Sequence, residues 1–160
     1  MFGDLEIPGG CGGLANLSEG SEGPRARQRG DGLGEHGLYP AFGHNLCYPQ
    51  VLPNLKWEDE KAQSLVLGRG QTRSRKMLGV MNDAMLGADK PFLCGGKLSL
   101  ADYMASGIIS LGELTGCDFS PWPNVARWYQ RMQALPNWQK ANAPLYAWAQ
   151  HTKGGEYVRV

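Results

Sequence analysis

The chain has 160 residues, 42% of them hydrophobic, and a formal net charge of +1. That suits one domain with room for a tail, and it excludes the broad basic face that nucleic-acid binding needs. No window holds the roughly 18 apolar residues of a membrane span, and "MFGDLEIPGGCGG" lacks the charged-then-apolar pattern of a signal peptide, so a cytoplasmic protein is expected.

Residues 1–37 hold eleven of the 23 glycines and three arginines in "EGPRARQRG", with too little apolar surface to build a core. Such a segment is expected to be disordered. From Leu38 the pattern becomes helical. "LYPAFGHNLCYPQVLP" predicts a short helix closed by Pro49 and Pro53. "WEDEKAQSLVLGRGQTRSRKMLGVMNDAMLG" predicts a long one, with Glu58, Asp59 and Glu60 in the first turn, where the dipole favours anions. Leu65, Met77, Leu78, Met81 and Met85 mark its expected buried stripe, and Gly68 and Gly70 weaken its middle.

"KPFLCGG" reads as a loop, and Ser99-Leu-Ala-Asp102 fits a capping box at the next helix, with Leu98 and Tyr103 at the staple positions. Asp102 alone would suit catalysis, but the cap accounts for it. The following residues are apolar on more than one side, which predicts a helix in the middle of a bundle. "SPWPNVARWYQRMQAL" predicts a helix entered at Pro123 or Asn124, with Val125, Trp128, Tyr129 and Met132 on one face. Pro136 ends it or opens the last helix, which carries Trp138, Leu145, Tyr146 and Trp148. The five tryptophans read as anchors of helix packing rather than as a stacking platform for sugars or bases. No strand-like alternation of any length occurs.

The chemistry-bearing residues are scattered. Cys11, Cys47, Cys94 and Cys117 form no C-x-x-C pair, so no metal site is expected and four free thiols are. His36, His44 and His151 lie far apart, and no triad order, H-E-x-x-H, dinucleotide fingerprint or P-loop is present.

The stretch "KPFLCGGKLSLADYMASGIISLGEL…CDFSPWPNVARWYQRMQALPNWQKANAPLYAW" resembles the C-terminal helical domain of cytosolic glutathione S-transferases. The family's Y/F-L-x-G loop, its S/T-x-A-D opening of the central helix, and its P-N-V-x-x-W…M…L-P helix occur in order. "LYPAFGHNLCYPQ" looks like the first helix of that domain. The resemblance implies an all-α bundle of about five helices over residues 38–150, a preceding segment 1–37 and a tail 151–160. It also implies an electrophile pocket lined by Tyr39, Phe42, Tyr48 and Leu52, the first three of which equally suit bundle core. Family members join this domain to a thioredoxin-like one that binds glutathione and holds the residue acting on its thiol. Only "GDLEIP" is similar to strands of that domain, so no catalytic residue is named here.

Relatives often carry a string like "PKDL-x-ARVNEAMDWVNT" before "GLYP". The coding bases of residues 21–36, read one base later, permit "PKDLARVNEAMDWVN". Residues 9–36 therefore read as the wrong frame of a transferase gene, and "RGD" at Arg29 to Asp31 as an accident of it. The expected function is a truncated transferase-like protein that supplies the electrophile-binding domain without conjugating activity of its own. Glutathione is the family's co-substrate, and none is expected to be bound by this chain. An apolar small-molecule electrophile, a second copy or a protein partner are the implied partners. A non-catalytic helical interaction module is the alternative.

Overall fold

The computed structural model describes residues 37–160. The expectations for residues 9–36, the altered reading frame and the disorder of the glycine-rich segment among them, lie outside the described residues. Five helical rods follow one another, and among the described residues the only strand-like pairing is a single bridge between Phe92 and Gly95. The all-α expectation therefore holds.

The first rod, α1, spans residues 39–51. It begins as a wide π-type stretch, Tyr39–Cys47, and tightens into an α-turn, Tyr48–Val51. Pro49 does not close it as expected; the rod runs through Pro49 and ends at Val51, where Leu52 is extended and Pro53 opens a short 3-10 turn. A proline clashes with the carbonyl four residues back and offers it no N–H. The wide register accommodates this, with the Tyr48 amide bonding five residues back to Gly43.

The second rod, α2, spans residues 60–86. Asp59 is its N-cap, with a carboxylate oxygen 2.8 Å from the amide of Ala62, so of the acidic cluster only Glu60 lies in the first turn and Glu58 precedes the helix. Its buried stripe is Leu67, Gly70, Ser74, Leu78 and Met81. Leu65 does not belong to it: two residues from Leu67, it falls on the far side of the helix and is 67% exposed. Gly70 is where α1 and α2 touch. A Cβ there would stand 2.5 Å from the carbonyl oxygen of Asn45, to which Pro49, four residues on, has no N–H to donate, so only glycine fits. Gly68 meets nothing. The wide terminal stretch Met81–Leu86 ends at Gly87, whose φ of 55° suits glycine.

The third rod, α3, spans residues 100–114 and starts at Ser99 as expected, closing with the 3-10 turn Ser110–Leu114. α4 is Pro123–Gln133 and α5 is Trp138–Thr152. Pro123 opens α4, where it needs no N–H. The amide of the next residue, Asn124, donates to the side-chain oxygen of Asn82 at 2.9 Å, while the Asn124 side chain donates to the Asn82 carbonyl at 3.0 Å. This pair ties the start of α4 to the end of α2.

Leu38, just before α1, and Phe42 and Leu46 within it meet Leu78, Met81, Ile109, Val125, Trp128 and Met132 in one core. A ladder of tilted and edge-on rings, Phe42–Phe119–Tyr129–Trp138, crosses it at 6.1, 5.9 and 5.8 Å between centroids. Trp128 and Trp138 are buried as the anchor reading requires, whereas Trp57 is exposed.

The segment after α5 folds back over the bundle. Gln50 exchanges two bonds with Val158, 3.0 and 2.7 Å long, and Gln71 donates to the Arg159 carbonyl at 2.6 Å. Arg159 Nε donates to the Thr115 carbonyl at 2.7 Å.

Candidate functional site

Asp102 comes first, because its role decides how α3 is held. Its Oδ2 accepts from the Ser99 amide at 2.9 Å and the Ser99 hydroxyl at 2.7 Å. Its Oδ1 accepts from the Leu93 amide at 2.8 Å and from Trp128 Nε1 at 2.9 Å. The reciprocal capping box is present, with the Asp102 amide facing Ser99. Asp102 is wholly buried and its four bonds join the 92–95 loop, the start of α3 and the middle of α4. A carboxylate so occupied positions the backbone. The same loop is fastened from α4 by Arg131, which donates to the Pro91 carbonyl at 2.6 Å and lies over the Phe92 ring.

The four expected pocket residues separate. Phe42 is fully buried against Phe119 and belongs to the core. Tyr39 and Tyr48 are half-buried and adjacent, with rings edge-on at 6.3 Å and hydroxyls 3.5 Å apart. Leu52 is half-buried just past the end of α1. A residue missed by the sequence reading joins the tyrosines: the His44 ring lies 4.8 Å from Tyr39 and 5.5 Å from Tyr48, edge-on to both. An α-helical period does not align positions 39, 44 and 48, and the wide π register does. Burial first, and the neighbouring Tyr39 hydroxyl second, push the Tyr48 phenol well above its ordinary range. It therefore stays a neutral hydrogen-bonding group at physiological pH.

Beside this cluster stands α3. A Cβ on Gly43 would be 3.1 Å from the Tyr39 ring and 3.3 Å from Leu111 Cδ1, so Tyr39 and Leu111 close over Gly43. Leu111 ends a stripe on α3 that runs back through Gly107 to Met104, Tyr103 and Leu100 at helical spacing. Those last three are 59, 53 and 72% exposed. The expectation that α3 is buried on more than one side is thus corrected: Ala105 and Ile109 face the core, while the second apolar side lies open among the described residues. Of the expected staple, Leu98 packs on the core and Tyr103 does not.

A separate cavity of about 590 Å³ lies along the first half of α2, lined by Trp57, Gln63, Leu67, Gln71 and Val158 among others. None of the four expected pocket residues borders it. The thiols also depart from expectation. Cys47 and Cys117 are free, but Cys94 is disulfide-bonded. It sits in the 92–95 loop, half-buried, where a partner can reach it, unlike Cys47 inside α1. Among the described residues no three His, Cys, Asp or Glu side chains converge to hold a metal ion, and no helix is long and apolar enough to cross a membrane.

The family described as Glutathione S-transferase, C-terminal domain matches residues 46–136, more than half of the chain. The chain belongs to this family. The match covers the end of α1, all of α2, α3 and α4, and so includes the Asp102 cap and the open stripe of α3. In this glutathione transferase C-terminal domain the capping box and the P-N-V entry of α4 have their roles in packing, through Asp102 and Asn124. No solved structure matches the chain.

Proposed function

We propose that this transferase-like chain supplies the electrophile-binding half of a glutathione transferase site and does not conjugate glutathione by itself. The observation that carries this is the open apolar surface where Tyr39 of α1, with Tyr48 beside it, closes on Leu111 at the end of the Leu100–Leu111 stripe of α3. Conjugation requires a thiolate nucleophile held against the electrophile. The described residues present an apolar wall and the neutral Tyr48 phenol, and no strand from which a thioredoxin-like glutathione site could be built. Glutathione is accordingly the family's co-substrate and not a ligand of this chain, the substrate is an apolar electrophile, and the setting is the cytoplasm. On this reading the Leu100–Leu111 stripe is the wall that would face a glutathione-holding domain.

An apolar environment-sensitive dye tests the surface. Binding should rise on the wild-type chain and fall several-fold in Met104→Lys and Tyr39→Ala, with helical content unchanged. Equal binding in both variants would remove the site from this surface.

A second reading, a non-catalytic interaction module, is favoured by the same exposed Leu100, Tyr103 and Met104, which a second copy or a protein partner would cover. Sedimentation of the chain at rising concentration separates the two. Self-association abolished by Met104→Lys would favour the module.

A further inference from the structure

The cavity along α2 is framed by two glutamines of that helix. Gln63 accepts from the Trp57 amide at 3.1 Å and donates to the Pro49 carbonyl at 3.0 Å, which holds the linker before α2 against the end of α1. Gln71, two turns on, donates to the Arg159 carbonyl at 2.6 Å and so fixes the returning C-terminal segment, whose Val158 borders the same space. Between the two glutamines lie Leu67, buried, and Gly68. A Cβ on Gly68 would meet no atom within 4 Å, so the absent side chain leaves the space open. The volume of about 590 Å³ suits a small molecule.

The lining combines apolar and anionic groups. Trp57 is 52% exposed, a large ring left open beside Leu67 and Val158. Glu58 and Glu60 border the cavity against one cation, Lys56, so the charge offered to a ligand is negative. Among the described residues neither of these carboxylates has a hydrogen bond or ion pair of its own. The positive end of the α2 dipole does not reverse the sign, because Asp59 already caps it through the Ala62 amide.

We propose that this cavity binds a small organic cation, an amine carried on an apolar body. The body takes the space between Trp57 and Val158 over Leu67, where it leaves water. The ammonium lies toward Glu58 and Glu60, and the face of the Trp57 ring adds its attraction for a cation. An anion of the same shape would meet two carboxylates, and a neutral analogue would gain the apolar contact alone. The site is independent of the α1–α3 surface, and its ligand differs in charge from the apolar electrophile assigned there.

The test titrates the full chain with phenylbutylamine, phenylbutanol and phenylbutyrate, which share a body and differ in charge. The indole N–H signal of Trp57, identified as the one missing from Trp57→Phe, reports binding by NMR. The amine should move it saturably and bind at least about fivefold more tightly than the alcohol, with the carboxylate weakest. Glu58→Gln with Glu60→Gln should bring the amine down to the level of the alcohol. Gly68→Leu, or Ser64→Leu should the first misfold, fills the cavity and should abolish the response, whereas Met104→Lys on α3 should leave it unchanged. A Trp57 signal that the amine does not move would overturn the proposal. So would alcohol or carboxylate binding as tightly as the amine, an undiminished response in the filled variants, or one lost in Met104→Lys.

Discussion

At the residue scale the decisive group is Asp102. A capping box alone is worth about 1 kcal/mol. Here the carboxylate also satisfies the buried Trp128 indole and the Leu93 amide. Asp102→Ala strands those donors, so a loss of about 3 kcal/mol or more is expected in chemical denaturation, with Asp102→Asn milder because one oxygen remains. Cys117 gives a pH signature. Its thiol lies near 6, so alkylation of Cys117 in the native chain should be half-maximal at about pH 6 and level off above pH 7. An ordinary thiol would still be accelerating past pH 8. Tyr129 gives another. Burial, then the Glu113 carboxylate, raise its phenol far above the ordinary value of 10.0. A raised acid favours the folded state while protonated, so its contribution is complete below pH 10 and is lost as the pH rises beyond it. Alkaline melts should show stability declining above pH 10, less steeply in Tyr129→Phe.

At the scale of single helices, the sequence carried more of α4 than of α1. Val125, Trp128, Tyr129 and Met132 repeat at the ordinary helical period, and all four are buried as that period requires. The start of α3 was equally legible, because a capping box is a local pattern. In α1 the register is wide, so a period of 3.6 could not group Tyr39, His44 and Tyr48, and Pro49 looked like an end when it lies inside the rod. The open side of α3 was misread because composition records which residues are apolar and not which of them a neighbour covers. Gly68 and Gly70 of α2 illustrate the same limit: similar in sequence, they differ in what stands opposite. Gly68→Ala should stabilise by about 1 kcal/mol, since a Cβ there meets open space. Gly70→Ala should destabilise, since its Cβ would meet the Asn45 carbonyl. Thermal melts of the two single variants check both signs.

For the whole molecule, the all-α bundle and its family could be read from linked motifs spread along the chain, and residues 46–136 bear that out. The proposed function rests on the apolar side of α3 that stays open among the described residues. The most direct measurement is conjugation by the purified 160-residue chain, followed with glutathione and a generic aryl halide. The buffer rate alone is expected from the chain, and turnover only when a glutathione-binding thioredoxin-like domain is supplied. Robust turnover by the chain itself would contradict the account and demand a thiol-activating group within its own residues.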